Sequence, residues 1–157
     1  MLSQIKHLTS ELDGRYATDS ELQFIEDYTR SYTLRLETYQ RLQEAESEIV
    51  QQVLARMKRL SPNLFYNGRE DMTAKWKRDT LRVLRYSATA MLLSDPETLR
   101  ERFLLWFQTI MRAFGAQRSC EMTYQVMQQV VQQHLSADQA HVFCPVLELN
   151  RQVLGVN

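Results

Sequence analysis

The feature that most constrains the fold is an apolar pattern of helical period that continues from residue 22 to residue 60 with no Gly or Pro inside it. The letters TDSE at residues 18–21 precede it. They have the form of a capping box, in which a Thr hydroxyl and a Glu carboxylate each bind a free backbone N–H at a helix start. The pattern predicts one very long helical region, and because such length is unusual in a globular protein we expect one or two bends within it.

The rest of the chain also favours helices. Four glycines and three prolines in 157 residues are too few for the frequent turns of a sheet protein. Residues 62–71, which centre on Asn-Gly, are predicted as a loop. About seven helices with short connections predict a single all-α domain over residues 1–157, packed like a globin or an elaborated bundle. Further helical patterns occupy residues 2–12, 73–93, 99–114 and the stretches that follow Ser119 and Ser136; the one at 99–114 is the most apolar and is expected to be central.

Charge and hydropathy exclude several function classes. Lys plus Arg and Asp plus Glu both number 19, so a weak overall field gives no support to nucleic-acid binding. No apolar run approaches the roughly 20 residues that cross a bilayer, so direct membrane insertion is not expected. Cys120 and Cys144 form no disulfide framework, which favours a reducing, cytoplasmic location.

Signals for catalysis and for metals are missing from the sequence. It contains no Gly-rich phosphate loop, no nucleophile elbow and no His paired with a carboxylate at metal-ligand spacing. Residues 72–114, which would line a haem pocket in a globin, contain no His, so an axial haem ligand is not expected there. The sequence therefore predicts a protein that is not an enzyme and holds no metal.

Two motifs identify a family resemblance. LRYSATAML at residues 84–92 and SDPETLRER at residues 94–102 resemble the phycobiliprotein signature, an L-R-Y-x-x-x-A-M-L helix followed by D-P-x-x-L-x-E-R. GRYATDSEL at residues 14–22 is similar to the segment that opens the globin part of these proteins. The resemblance is collinear over nearly the whole chain, and it implies a globin-like phycobiliprotein fold over residues 15–157 with an N-terminal helical extension over residues 1–14.

The resemblance also implies partners. In phycobiliproteins the N-terminal helical pair packs against another subunit, and such pairs assemble into rings within phycobilisomes. A related phycobiliprotein-like subunit or a second copy of this chain is therefore expected as partner, together with other phycobilisome components, and the location is cytoplasmic or peripheral to thylakoid membranes through a phycobilisome. The expected interface residues are Leu2, Ile5, Leu8 and Leu12.

The pigment attachment pattern of this family is changed here. The pattern is C-x-R-D, with a bilin joined to the cysteine by a thioether, and this chain has Trp76-Lys77-Arg78-Asp79. The resemblance implies that Asp79 lies under the pyrrole N–H groups and Arg78 near a propionate, while Trp76 takes the place of the sulfur. Covalent attachment at the usual position is not expected. Cys120 and Cys144 do not match the second attachment position of the family and are expected to be inert thiols.

The residues around Trp76 leave alternatives open. Trp76 could be a core residue that seals the pigment space or a stacking platform for an unattached tetrapyrrole. Lys75, Arg78, Arg82 and Arg85 form a stripe roughly 80° wide on one helix. This stripe is either a solvated face or an anion site for propionates or an acidic partner. The candidate cofactor-binding residues are Lys75, Trp76, Arg78, Asp79 and Arg82.

Two functional hypotheses follow. The first is a light-harvesting or photosensory subunit, in or alongside the phycobilisome, that binds a linear tetrapyrrole noncovalently or in an atypical way. The alternative is a pigment-free interaction, assembly or regulatory protein that kept the fold and lost the cofactor. In the first case the cofactor is a bilin that is not attached at the usual position, and in the second there is none.

Overall fold

The computed structural model describes residues 1–155, and these residues form an all-α chain with one small hairpin. The first helix, α1, covers Leu2–Glu11, and the second, α2, covers Asp19–Leu60. At a rise of about 1.5 Å per residue α2 is roughly 60 Å long, and the predicted bends do not interrupt it. The predicted capping box is present, with both the Thr18 and the Glu21 side chains bonded to backbone N–H groups.

A short connection follows α2 and leads into the central helix. A 3₁₀ turn covers Pro62–Phe65, and two strands, β1 at Tyr66–Asn67 and β2 at Glu70–Asp71, pair antiparallel with Tyr66 opposite Asp71. The loop prediction for residues 62–71 missed these strands, which contain two residues each. Gly68 lies between them with a φ of +61°, a backbone region that glycine enters without steric cost.

The remaining helices follow in the predicted order. α3 covers Thr73–Leu92, close to the predicted 73–93. A short α4 at Pro96–Leu99 continues through a π-helical turn at Arg100–Leu104 into α5 at Leu105–Ala113. α6 covers Gln117–Val131 and α7 covers Ala137–Leu154, with a capping box at Ser136.

The core lies where α3, α6 and α7 pack around the second half of α2. The first residue of α2 to be buried is Thr38, and the apolar residues that follow it at helical spacing are fully enclosed. Burial of apolar surface is the main stabilising contribution in such a core, at roughly 25 cal/mol per Å². Its largest fully buried side chains include Leu42, Ile49, Met57, Phe65, Leu84, Met91, Leu104, Met127, Phe143 and Leu147.

The prediction that residues 99–114 form a central segment is only half right. Leu99, Phe103, Leu104, Phe107 and Met111 are buried and Ile110 is half-buried against the core, but three large apolar side chains of this segment face outward. The amphipathic pattern of α5 has aromatic and aliphatic residues on both of its faces, so the sequence alone could not show which of them reach the core. The outward-facing residues are Leu105 at 43% exposure, Trp106 at 54% and Phe114 at 56%.

The start of the N-terminal helix is bonded to the rest of the chain through polar groups. The Ser3 backbone N–H and hydroxyl donate to the two carboxylate oxygens of Asp95, at 2.9 and 2.7 Å, and Asp95 also caps α4 by accepting from the Thr98 N–H. No residue of α1 is buried. Its apolar stripe is therefore left largely open, with Leu2 at 51% and Ile5 at 36% exposure.

Candidate functional site

A cavity of about 370 Å³ lies at the start of α3, and it is the natural candidate for a functional site. The hairpin closes one side, the first two turns of α3 form the floor, and the end of α5 and the start of α6 form the opposite wall. Its volume falls within the range of roughly 300–1,000 Å³ typical of small-molecule sites. The lining residues on which the site depends are Tyr66, Lys75, Trp76, Asp79, Phe107, Met111, Phe114, Cys120, Thr123 and Tyr124.

Trp76 forms one wall of the cavity in a fixed orientation. The indole N–H donates to the Thr123 hydroxyl at 2.9 Å, and that hydroxyl lies 2.7 Å from the Ser119 carbonyl, to which it can donate. The ring edge packs against Phe65, with 5.4 Å between ring centroids and 77° between ring planes. The indole is thus part of the core packing, yet the space beside it is not filled.

Asp79 lines the cavity one helical turn after Trp76. Its side chain is 27% exposed, and among residues 1–155 the cation within 4.0 Å of it is its neighbour Arg78, at 3.6 Å. Two residues on the opposite wall have raised pKa values. Burial raises the pKa of the Cys120 thiol to about 12 and the pKa of Tyr124 well above its ordinary value. The nearby Asp79 carboxylate adds to both increases. This carboxylate offers hydrogen-bond acceptors at the wall of a cavity that is also lined by apolar side chains.

The basic stripe divides into groups with different surroundings. Lys75 is half-buried and lines the cavity, with its Nζ 3.8 Å from the centre of the Phe114 ring. Arg78 is 74% exposed and does not line the cavity. Arg82 lies outside the cavity, with its guanidinium 5.9 Å from the ring centres of both Tyr86 and Phe103.

Arg85, the fourth cation of the stripe, has an intramolecular partner. It forms a bidentate pair with Glu46 of α2, at 2.8 and 2.6 Å. These hydrogen bonds lower the pKa of Glu46. The cavity therefore brings together Lys75, Trp76 and Asp79 of the five predicted cofactor-binding residues, and it leaves Arg78 and Arg82 outside.

Cys120 is a cavity residue that the sequence analysis did not place there. It is buried and lines the same space as Asp79. The signal was present: Cys120, Thr123 and Tyr124 share one face of α6 through their i, i+3 and i+4 spacing. A thiol with a pKa of about 12 is protonated at neutral pH, and the thiolate is the reactive form of cysteine.

The three histidines do not line the cavity. His7 is exposed on α1 and His134 bonds to Gln52, so neither lines the cavity, and His141 lies at an open surface groove. Within residues 1–155 no cluster of three His, Cys, Asp or Glu side chains is arranged to hold a metal ion. No helix in the same part of the chain is both long and apolar enough to cross a membrane.

Comparison with known families identifies the chain. The family model described as "Phycobilisome protein" matches residues 8–154, and the chain therefore belongs to the phycobilisome protein family. The match confirms the resemblance seen in the sequence and, with the helical architecture, the globin-like fold. Members of this family are light-harvesting pigment proteins rather than enzymes. No curated protein matches the chain.

Proposed function

We propose that this protein is a phycobilisome-associated subunit that holds a linear tetrapyrrole without a covalent link. The observation that carries the proposal is the open cavity beside Trp76, with the Asp79 carboxylate on its wall. Family membership indicates a phycobiliprotein-like role in light harvesting. A bound bilin would supply the visible absorption for that role, in or alongside a phycobilisome peripheral to thylakoid membranes.

The chemistry of the cavity wall suits a bilin. The Asp79 carboxylate can accept hydrogen bonds from pyrrole N–H groups, and charge-assisted bonds of this kind are among the stronger ones in proteins. Lys75 at the mouth can pair with a propionate. Phe107, Met111 and the Trp76 indole offer apolar surface for the rings.

A covalent link is not part of the proposal. Trp76 replaces the attaching cysteine, and the Cys120 thiol is held protonated by burial and by the charge of Asp79. Its sulfur is also buried among the residues of α6 and the core. The pigment would therefore leave the chain when the protein is denatured.

The test is production of the protein together with a bilin supply. The purified protein should absorb visible light, and denaturation should separate the pigment from a chain of unchanged mass. Asp79→Asn should weaken binding, whereas the exposed Asp138→Asn on α7 should not. A colourless product with no tetrapyrrole by mass spectrometry would contradict the proposal.

Trp76→Cys offers a second and independent test of the same cavity. It restores the attachment pattern C-x-R-D, so in the presence of a bilin and an attaching lyase the chain should gain the mass of one bilin. The natural protein treated in the same way should gain none. Mass unchanged in both would show that the cavity does not accept the pigment in the family's orientation.

A second candidate function, pigment-free assembly, is favoured by the apolar surface at the N-terminus. We define the outer apolar face as Leu2, Ile5, Leu22, Ile25 and Tyr32, which are 36–51% exposed. Leu8 and Leu12, the other predicted interface residues, are half-buried. Exposed apolar surface of this kind can mark interaction sites, and a related subunit or a second copy of this chain would cover it.

Sedimentation velocity distinguishes this candidate. Ile25→Glu should lower the sedimentation coefficient of the assembly, and deletion of residues 1–14 should do the same. Leu60→Glu, an exposed apolar position at the far end of α2, serves as the matched control. A strictly monomeric protein, alone and with phycobilisome components, would count against this candidate.

A further inference from the structure

An aromatic surface runs from the cavity wall out to solvent. We define the aromatic shelf as Tyr86, Phe103, Trp106 and Phe107. Phe107 lines the cavity and stacks on Phe103, with 5.3 Å between ring centroids and 19° between planes. The Phe103 ring centroid in turn lies 4.5 Å from that of Tyr86 and 6.1 Å from that of Trp106. The rings are therefore continuous from a buried end at the cavity to an exposed end on the surface.

The outer end of the shelf is exposed to solvent. Trp106 is 54% and Tyr86 43% exposed, and the π-helical turn at Arg100–Leu104 presents Phe103 to Tyr86 of α3. Such turns occur often at functional sites. A large aromatic surface that remains in water costs hydrophobic free energy that a bound apolar group would recover.

A single cation accompanies these rings. The Arg82 guanidinium lies 5.9 Å from both the Tyr86 and the Phe103 ring centres. Arg82 takes part in none of the ion pairs formed within residues 1–155. Its planar fork matches a carboxylate, so the shelf combines stacking surface with a free anion-binding group.

We propose that the aromatic shelf carries the part of the linear tetrapyrrole that the cavity does not enclose, and that Arg82 binds one of its carboxylates. This inference depends on the proposed function. The cavity volume of about 370 Å³ lies near the low end of the range for ligand sites, while the ligand has four rings in a row. Phe107 belongs to both the cavity and the shelf, so the row of rings begins at the cavity wall.

The experiment is a titration of the purified protein with biliverdin, followed by visible absorbance and induced circular dichroism. Trp106→Ala and Arg82→Gln should each raise the Kd about 3- to 10-fold, in line with the strength of single stacking and charged contacts. Trp106→Phe should restore most of the affinity. Both altered side chains are exposed, and far-UV circular dichroism and urea unfolding of each variant confirm that the fold is kept.

Two matched controls come from α5, the helix that carries Trp106. Leu105→Ala removes an exposed apolar neighbour that is outside the ring stack, and Arg112→Gln removes an exposed cation that does not line the cavity. Both should leave the Kd within about 2-fold of the natural protein, which is less than the change expected from losing one of the proposed contacts.

The outcomes separate this inference from the proposed function. Biliverdin binding that is unchanged in Trp106→Ala and Arg82→Gln would overturn the shelf and leave the cavity proposal standing. Equal weakening by the two controls would also overturn it, since the effect would then not be specific to the rings. No binding by the natural protein would overturn both proposals. If Trp106→Ala instead abolishes association with another protein while the Kd for biliverdin is unchanged, the shelf is a protein contact and the inference is wrong.

Discussion

The two halves of α2 carry the same helical apolar pattern, yet they lie in different environments. Among residues 1–37 no side chain is buried, whereas from Thr38 onward α2 contributes seven buried residues. We call residues 1–37 the outer region and residues 38–155 the inner region. Ile25 in the outer region is 38% exposed, and Ile49, the same residue type in the inner region, is 0% exposed.

This difference shows what an apolar pattern records. A helical stripe indicates which side of a helix is covered in the working protein, and the cover can come from the same chain or from another one. In the inner region the cover is α3, α6 and α7. In the outer region no element within residues 1–155 covers the apolar stripe completely. The proposed partner subunit would cover it.

The largest expected difference between the two regions comes from shortening one isoleucine side chain in each of them. Ile49→Ala should lower the free energy of unfolding by about 2–5 kcal/mol, because it leaves a cavity in a packed core. Ile25→Ala should lower it by less than about 1 kcal/mol in the isolated chain. Urea denaturation at low protein concentration measures both, and equal losses would show that the outer region belongs to the core of the monomer.

The next largest effect concerns the hydrogen bonds from Ser3 to Asp95, which join α1 of the outer region to the inner region. Asp95→Ala should destabilise the protein by about 1–3 kcal/mol, since it removes the cap of α4 and the acceptor for Ser3. Hydrogen exchange should show faster exchange in α1. Asp95→Asn, which can still cap, should lose less, and Asp138→Ala on α7 serves as a surface control. Unchanged exchange in α1 would show that the Ser3 contact does not hold this helix.

The pH dependence of the contact between Ser3 and Asp95 has a definite sign. Burial favours the neutral form of Asp95, but hydrogen bonds from Ser3 and Thr98 outweigh it and lower the pKa of this carboxyl below its ordinary value. A lowered pKa stabilises the folded protein at pH values above the ordinary pKa, and this contribution is lost as the pH falls through the folded-state pKa. Protection of α1 should therefore decrease on acidification.

A smaller effect tests whether the cavity wall in the inner region is fixed. Thr123→Val should cost about 1–2 kcal/mol, because the indole N–H of Trp76 loses its acceptor at nearly constant side-chain volume. The fluorescence of Trp76, recorded in a Trp106→Phe background, should change. Thr109→Val, an exposed hydroxyl on α5, is the control, and an identical spectrum in both variants would show that the hydrogen bond does not orient the ring.

The smallest effect concerns the start of α2 in the outer region. Hydrogen bonds from Arg15 and Thr18 lower the pKa of Glu21 to about 2 from an ordinary 4.5. The stabilisation from the capping box should therefore be complete above pH 4.5 and be lost progressively as the pH falls to about 2. Glu21→Gln should remove this step from the helical circular dichroism signal, whereas Glu26→Gln should keep it.

Much of the fold could be predicted from local signals. The capping box at Thr18, the helix start at Ser136, the start of α3 and the order of helices depend on neighbouring residues, and the structure confirms them. The family followed from two short motifs. The strands at residues 66–71 and the outward-facing half of α5 were missed, because they depend on which elements pack together rather than on local pattern.

The sequence by itself determined the all-α architecture, the presence of Trp at position 76 and the basic stripe on α3, since each follows from residue identity and spacing. Only the tertiary structure decided that a cavity remains beside Trp76, that Cys120 faces it, and that Arg85 pairs with Glu46 while Arg82 lies over aromatic rings. The physical reason is that volume, burial and charge pairing depend on side chains from different helices, such as Glu46 and Arg85, 39 residues apart in the chain, which meet only when the helices pack. A helical wheel describes one helix at a time, whereas a site belongs to the space between several.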